Sequence, residues 1–213
     1  MVRVGIARFL GTNCDADIKK WVDSKSYKSE YLWFEDQFNS LDYDMVIIPG
    51  GFSHGDYLRC GALAAKTPVM KSVIEFASKG KPILGICNGF QILCEAGLLP
   101  GALLRNDSQK FKDQWVNLKF QQPNTAFSSS VAKNQIIKLP IAHGEGKYYA
   151  ESETLKQLDD KGQIWLTYES NPNGSALNIA GITNEKRNIC GLMPHPERAL
   201  AGWMGSTDGV YFL

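Results

Sequence analysis

The residue best suited to nucleophilic chemistry is Cys87, in the sequence G-I-C-N-G. A fully apolar run from Pro82 to Ile86 precedes it, and a helical pattern from Asn88 to Ala96 follows. A G-x-C-x-G at a strand-to-helix junction is typical of a nucleophile elbow, because glycines leave room where the chain reverses. The helix N-terminus beside the sulfur favours the thiolate. The sequence therefore predicts a cysteine nucleophile; a buried cysteine beside two helix-packing glycines is the alternative.

Two histidines could serve this thiolate as a base. His195 is followed two residues later by Glu197, and His143 in the same way by Glu145. In extended backbone, residues two apart point to the same side, so either carboxylate could orient its imidazole. Prolines on both sides restrict the backbone of His195 and favour it, but the residues alone leave both pairs open. The third histidine, His54, has no nearby carboxylate suited to orient it.

Acyl transfer also requires hydrogen-bond donors for a developing oxyanion. The elbow itself supplies one, the backbone N–H of Asn88. The pair Gly50-Gly51, at the end of the apolar run Met45-Val-Ile-Ile-Pro, can offer a second backbone N–H.

The elements that must position these groups form an alternating pattern. Short apolar runs separated by helical stretches predict an α/β fold with a mostly parallel central sheet and helices on both faces. We expect residues 1–213 to form one domain, with residues 116–142 adding antiparallel structure at one edge of the sheet. Thr12 or Asn13 is the expected N-cap of the first helix. Strands are predicted at 2–9, 31–34, 45–49, 82–87, 164–168, 176–182 and 188–193, and a helical pattern interrupted near Thr67-Pro68 spans 57–79.

Charge and composition exclude several classes of function. Lys and Arg number 23 against 22 Asp and Glu, so nothing favours binding to nucleic acid or to an anionic membrane. No apolar stretch approaches the roughly 20 residues of a membrane span. The start of the chain resembles a strand and not a signal peptide. Five cysteines without a C-x-x-C pair indicate neither a disulfide scaffold nor a structural zinc site. We therefore expect a cytoplasmic protein without a metal.

Several segments together resemble one enzyme family. The motif G-I-C-N-G-F-Q, the earlier P-G-G-F-S and the late H-P-E are similar to those of class I, triad-type glutamine amidotransferases, whose fold is flavodoxin-like. The segments G-T-N-C-D-A-D, G-G-F-S-H-G-D-Y-L-R-C-G-A-L-A, A-H-G-E-G-K-Y-Y and M-P-H-P-E-R narrow the resemblance. They resemble the glutaminase subunits of small, multi-subunit formylglycinamide ribonucleotide amidotransferases, also called phosphoribosylformylglycinamidine synthases. The resemblance covers essentially the whole chain.

The resemblance implies a role for each group. It implies a triad of Cys87, His195 and Glu197, with the oxyanion held by Gly51 and Asn88. Gln91 matches the glutamine of the G-x-C-x-G-x-Q pattern and is expected to contact the substrate. The expected remaining substrate contacts are His143, Gly144 and Glu145.

The resemblance also implies partners. Glutamine would be hydrolysed through a cysteinyl thioester, and ammonia would pass through a tunnel to a synthetase subunit working in purine biosynthesis. A small bridging subunit is expected in the same complex. ATP and magnesium are expected in the synthetase, since this chain has no G-x-x-x-x-G-K-[ST] phosphate loop and needs no cofactor of its own.

Three other interpretations remain open from the residues. One is a cysteine hydrolase or chaperone-like protein of similar fold, although a histidine directly after the cysteine would favour that class and Asn88 stands there. Another is a regulatory subunit with a dead site, although Cys87, His195 and Glu197 are all present. The last is a glutaminase subunit that serves another synthetase.

Overall fold

The structure, a computed structural model, describes residues 1–128 and 130–213. Within these residues, nine strands form one mixed sheet in the order β2-β1-β3-β4-β11-β10-β9-β6-β7, and β5 pairs separately with β8. The strands are β1 Arg3–Arg8, β2 Lys28–Trp33, β3 Met45–Ile48, β4 Ile83–Ile86, β5 Ala102–Leu104, β6 Lys112–Phe120, β7 Ile136–His143, β8 Lys147–Tyr149, β9 Ile164–Tyr168, β10 Ile179–Thr183 and β11 Ile189–Leu192. The helices are α1 Asp15–Ser24, α2 Pro68–Ser78, α3 Asn88–Glu95 and α4 Ser152–Asp160.

The first half of the sheet is parallel. Strands β2, β1, β3, β4 and β11 all run in the same direction. Every residue of β4 and β11 is buried, as expected for strands covered on both faces. The connection through α1 leads from β1 to β2, toward one edge of the sheet. The connection through α2 leads from β3 to β4, toward the opposite edge. Because such crossovers are right-handed, α1 and α2 lie on opposite faces. This is the predicted flavodoxin-like arrangement.

The second half of the sheet is antiparallel. The predicted edge extension at residues 116–142 is confirmed, since β6 and β7 pair antiparallel at that edge. Antiparallel pairing continues inward through β9 and β10 to β11. The parallel half thus ends at β11, directly beside β4, the strand that Cys87 follows.

Three local predictions were wrong. The strand predicted at 176–182 begins only at Ile179, because residues 176–178 form a 3₁₀ turn in which Leu177 has a φ of 49°. Helical structure does not span residues 57–66; turns are followed by one 3₁₀ turn, Ala64–Lys66, and α2 begins at Pro68. Leu58 has a φ of 70°, which a helix cannot contain. The residue that caps α1 is Cys14, and Thr12 instead accepts a hydrogen bond from the N–H of Phe9.

The loops that follow the parallel strands meet at one edge of the sheet. The connections after β1 and β3 run in opposite directions along the sheet, so the strand order reverses between these two strands. In open α/β sheets, ligands bind at such a reversal, outside the carboxyl ends of the strands. The loop after β1, Gly50-Gly51 after β3, Cys87 after β4 and His195 after β11 all lie at these carboxyl ends.

Candidate active site

Cys87 occupies a strained turn between β4 and α3. Its φ is 52° and its ψ −107°, a conformation that costs a non-glycine residue of order 1–3 kcal/mol. Its N–H donates a 2.8 Å hydrogen bond to the carbonyl of Leu192 in β11. A Cβ on Gly89 would lie 1.9 Å from the carbonyl oxygen of Ile48, and one on Gly85 would lie 2.6 Å from that of Gly89. The predicted need for both glycines is therefore confirmed, and the surrounding structure holds the elbow in place.

His195 and Glu197 form a buried pair beside this elbow. The Nδ1 atom of His195 lies 2.6 Å from Oε1 of Glu197, and both side chains are almost fully buried. The N–H of His195 donates to the carbonyl of Pro140, which fixes the backbone of the histidine to β7. The Nε2 atom has no hydrogen-bond partner among the described residues. It is therefore free to exchange a proton with a reacting group.

The surroundings of His195 favour its charged form. Burial opposes the imidazolium, but the Glu197 carboxylate and then the Cys87 sulfur outweigh this, and the pKa of His195 rises well above its usual range. A protonated His195 next to Cys87 stabilises a thiolate, the form of cysteine that attacks carbonyl carbon.

The second histidine–glutamate motif has a different geometry. Nδ1 of His143 lies 3.1 Å from Oδ1 of Asn106, while Glu145 forms an ion pair with Arg105 at 3.6 Å. Burial, and after it the charge on His195, lowers the pKa of His143 to about 4. His143 is consequently neutral near pH 7 and has no carboxylate to orient it. Of the two pairs that the sequence left open, the structure brings together His195 and Glu197.

The side chains at the start of α3 connect the elbow to its neighbours. Asn88 donates through Nδ2 to Oε1 of Gln91 at 2.8 Å and accepts the N–H of Ser53 on Oδ1 at 3.1 Å. Gln91 in turn donates through Nε2 to the carbonyl of Glu145 at 2.6 Å. The helix that carries the nucleophile is thus hydrogen-bonded both to the loop after Gly51 and to residues 143–146.

A cavity of about 340 Å³ opens beside Cys87. Its lining includes negatively charged and positively charged side chains, so we call it the charged cavity. Its volume lies within the range of small-molecule sites. Burial raises the pKa of its Asp56 carboxyl. The predicted residues Gly51, Cys87, Gln91, His143, Gly144 and Glu145 all line it, together with Asp56, Arg105 and Lys110.

A smaller cavity of about 150 Å³, which we call the His195 cavity, lies on the other side of Cys87. Gly51, Phe52, Cys87, Phe111 and Ala142 line both cavities. The residues that line only the smaller one are Asn13, Cys14, His195 and Arg198.

Cys14 and Arg198 are site residues to which the sequence gave no role. Nη2 of Arg198 lies 3.2 Å from Sγ of Cys14, and its Nε lies 3.4 Å from Oδ2 of Asp17. Cys14 lies in the G-T-N-C-D-A-D segment and Arg198 in M-P-H-P-E-R, so the two motifs were visible, although their contact was not.

Three potential metal ligands also meet here. One ligand atom each of Cys14, His195 and Glu197 lies within 4.8 Å of the others. The Glu197 oxygen is already hydrogen-bonded to His195, and the Arg198 guanidinium faces the thiol, where it opposes a second cation. We therefore interpret the group as part of a proton-transfer site.

The remaining histidine is packed away from this centre. The ring of His54 contacts those of Phe9 and Phe34 edge-on, with centroids 6.2 and 5.2 Å apart. Burial lowers its pKa. These contacts agree with its having no catalytic role.

Comparison with known proteins identifies the family. The model of the CobB/CobQ-like glutamine amidotransferase domain matches residues 1–209. The chain belongs to this family. Among the described residues, no helix has the length and apolar character needed to cross a bilayer.

Individual relatives are similar over nearly the full length of this amidotransferase. It is 50% identical to phosphoribosylformylglycinamidine synthase subunit PurQ of Methanosarcina mazei and to that of Methanosarcina acetivorans, covering 98% of this chain and 94% of each relative. Its structure matches a chain of PurLQS from Thermotoga maritima with a TM-score of 0.91 and 41% identity, covering 99% of this chain and 94% of that one. A glutamine amidotransferase from Thermotoga maritima, at 19% identity and a TM-score of 0.64, shares the fold; the match covers 93% of this chain and 77% of that one.

Proposed function

We propose that this chain is the glutaminase subunit of a phosphoribosylformylglycinamidine synthase. The observation that carries the proposal is the buried His195–Glu197 pair, 2.6 Å apart, beside a strained cysteine elbow that opens into the charged cavity. The 50% identity to two PurQ subunits supports the choice of synthetase. Membership of the amidotransferase family favours this function over a cysteine protease or chaperone.

The reaction converts glutamine and water to glutamate and ammonia. The Cys87 thiolate attacks Cδ of glutamine and forms an S–C bond, while the carbonyl electrons move to the oxygen. Backbone N–H groups of Gly51 and Asn88 hold this oxyanion. When the intermediate collapses, the C–N bond breaks and His195 gives its proton to the departing nitrogen. His195 then takes a proton from water, which attacks the γ-glutamyl thioester and releases glutamate and the Cys87 thiolate.

The charged cavity suits the other end of glutamine. A free amino acid carries an α-ammonium and an α-carboxylate, so its site needs groups of both signs. Glu145 and Asp56 can bind the ammonium, and Arg105 and Lys110 can bind the carboxylate. Gln91, His143 and Gly144 line the same cavity and complete the proposed substrate contacts.

Ammonia supply implies an assembly. We propose that the chain works with a synthetase subunit and a small bridging subunit, which agrees with its similarity to a chain of PurLQS. ATP and magnesium would bind to the synthetase subunit, and this chain would need no cofactor. We further propose that residues 1–213 form one domain and that the complex works in the cytoplasm.

The proposal is tested by measuring the release of glutamate and ammonia from glutamine. The first assay contains the chain alone. The second contains its synthetase and small subunits as well, with formylglycinamide ribonucleotide and ATP. The expected result is glutamine-dependent amidation of the nucleotide that Cys87→Ser abolishes, while amidation with added ammonia continues. Glutamine hydrolysis without amidation in the reconstituted complex would assign the chain to another synthetase. An absence of glutamine hydrolysis under both conditions would contradict the proposed activity itself.

A further inference from the structure

The side chain of Asn106 is fully buried and lines neither of the two cavities. Its Nδ2 donates to the carbonyls of Lys110 and His143, each at 2.9 Å. Its Oδ1 accepts from the N–H of Gly146 and faces Nδ1 of His143, each at 3.1 Å. The orientation of the amide is therefore fixed, because only its nitrogen can donate to the two carbonyls and only its oxygen can accept from the Gly146 N–H.

This amide determines which nitrogen of His143 carries a proton. Oδ1 of Asn106 can only accept a hydrogen bond, so Nδ1 of His143 must donate one. The imidazole is neutral near pH 7, because burial lowers its pKa to about 4, and it therefore has a single N–H. Nε2 consequently carries a lone pair and no hydrogen. His143 lines the charged cavity, and its Nε2 has no hydrogen-bond partner among the described residues, so the imidazole offers a buried, unused acceptor.

The acceptor is held close to the nucleophile. A Cβ on Gly146 would lie 2.3 Å from Nδ1 and from Cε1 of His143, so the ring packs directly on that glycine. The carbonyl of Ala142, the residue before His143, lies 3.8 Å from Sγ of Cys87. A bound glutamine places its carboxamide at this sulfur, while its α-ammonium has carboxylates in the same cavity. The unpaired Nε2 is therefore suited to an N–H of the carboxamide.

We propose that Asn106 is a positioning residue that holds His143 in the Nδ1–H form, so that Nε2 accepts a hydrogen bond from the carboxamide of glutamine and the site selects against glutamate. This inference rests on the proposed function. A carboxamide has two N–H donors, whereas the carboxylate of glutamate has only lone pairs, which would face the lone pair of Nε2. The product would thus be bound more weakly than the substrate, which favours its release.

NMR can read the protonation of His143 directly. The chain has three histidines, so ¹⁵N-histidine spectra of the isolated chain at pH 7.5 contain few signals, which His54→Phe and His143→Gln assign. We expect the Nδ1–H form of His143 in the unmodified chain and the Nε2–H form, which free imidazole favours, in Asn106→Ala. An Nε2–H form or an imidazolium in the unmodified chain, or the same form in both proteins, would overturn the proposal.

The preference for glutamine over glutamate separates this role from a purely structural one. In the reconstituted complex, KM for glutamine and the inhibition constant of glutamate measure the preference for a carboxamide over a carboxylate. Asn106→Ala should reduce this preference by about tenfold, because a hydrogen on Nε2 opposes the carboxamide N–H and donates to the carboxylate. If Asn106 only kept the segment in shape, or if Nε2 bound the α-ammonium, both ligands would be weakened equally, and that result would overturn the proposal.

Asn173 provides the matched control. Its side chain is also buried, and its Nδ2 donates to the carbonyl of Gly146 at 2.8 Å, so it holds the same segment without a hydrogen bond to the imidazole. Asn173→Ala should leave both the protonation of His143 and the preference for glutamine unchanged, even where both affinities fall. An equal loss of preference in Asn173→Ala and Asn106→Ala would contradict the proposal, because selectivity would then follow the shape of the segment. Thermal unfolding checks that each variant is folded.

Asn106→Asp serves if Asn106→Ala does not fold. It retains the acceptor for Nδ1, and its charge favours an imidazolium at His143, which has a hydrogen on Nε2. We expect the same loss of preference, and an unchanged preference beside an imidazolium signal would overturn the proposal. If the unmodified complex does not hydrolyse glutamine, the proposed function fails. The protonation of His143 in the isolated chain, with and without Asn106, then still decides whether Asn106 positions the imidazole.

Discussion

Nδ1 of His195 and Oε1 of Glu197 lie 2.6 Å apart, and both side chains are almost fully buried. A carboxylate at this distance fixes both the orientation of the ring and its protonation, since its charge raises the pKa of His195 well above the usual range. The pair is the structural basis of the proposed proton transfers.

Removing either member of this pair should reduce glutamine hydrolysis. His195→Ala removes the acid and base, and we expect the rate to fall by about 100- to 10,000-fold. Glu197→Gln retains a hydrogen-bond acceptor but loses the charge, so the rate should fall less and the pKa of His195 seen in the pH–rate profile should move downward. His143→Asn is the comparison. A severe effect of His143→Asn beside a mild effect of His195→Ala would contradict the assignment.

His143 should make stability depend on pH. Its pKa is lowered from 6.5 to about 4 in the folded state, so below pH 6.5 the unfolded chain binds a proton that the folded chain does not. Stability is therefore fully present above pH 6.5 and falls as the pH drops toward 4, by roughly 3 kcal/mol in total. Between pH 7.5 and pH 5 the expected loss is roughly 2 kcal/mol of this total, which denaturant unfolding at the two pH values measures. His143→Gln should reduce the difference between the two pH values, and an unchanged difference would count against the buried neutral histidine.

The loop after Gly51 should couple glutamine hydrolysis to the synthetase subunit. Tyr57 and Leu58 are 73% and 89% exposed, and Asp56 on the same loop lies 3.4 Å from Nδ2 of Asn88. A partner that presses on these side chains could move the N–H of Gly51 into place for the oxyanion. One missing oxyanion donor costs about 100- to 1,000-fold in rate, so the isolated chain should be slow and not inactive.

Glutaminase turnover of the isolated chain and of the nucleotide-bound complex provides the comparison. Tyr57→Ser and Leu58→Ser should lower the rate in the complex and leave the basal rate unchanged. Leu41→Ser, at a leucine that is 70% exposed on another loop, is the control. Equal turnover with and without partners would exclude this form of activation.

The cations of the charged cavity should set the affinity for glutamine. Arg105 is mostly exposed and forms a 3.6 Å ion pair with Glu145. Arg105→Met should raise KM for glutamine by about tenfold, which is the loss of roughly 1.5 kcal/mol from one charged hydrogen bond, with kcat little changed. Lys66→Met, at a lysine that does not line the cavity, is the control. A large fall in kcat at constant KM would show that Arg105 does not act through ground-state binding.

Much of the fold and the cysteine elbow could be predicted from local sequence, whereas local sequence left open whether His195 or His143 is the base. Fully apolar runs identified β4 and β11, and two glycines around Cys87 identified the elbow, because each signal depends on neighbours in the chain. The helix predicted at residues 57–66 was wrong, because the sequence does not reveal that Leu58 has a left-handed backbone conformation. The prediction that Thr12 or Asn13 caps α1 was also wrong. The Thr12 hydroxyl instead accepts a hydrogen bond from the N–H of Phe9 in the preceding turn.

The parts of the site that sequence could not provide come from distant segments. Nothing near Glu145 indicates that its partner is Arg105, or that His143 is hydrogen-bonded to Asn106. The contact between Arg198 and Cys14 joins residues 184 positions apart. These contacts depend on how the loops at the carboxyl end of the sheet pack together, which short motifs do not encode.

The central claim is that Cys87, and no other cysteine, is the nucleophile. All five cysteines are free, and burial raises the thiol pKa of Cys60, Cys94 and Cys190, which makes them poor nucleophiles. Labelling with the glutamine analogue diazo-oxo-norleucine, followed by peptide mapping, tests this directly. The expected result is one label per chain, on Cys87, that excess glutamine prevents and that Cys87→Ser removes. A label on Cys14 or on any other cysteine in the unmodified protein, with Cys87 unlabelled, would contradict the assignment.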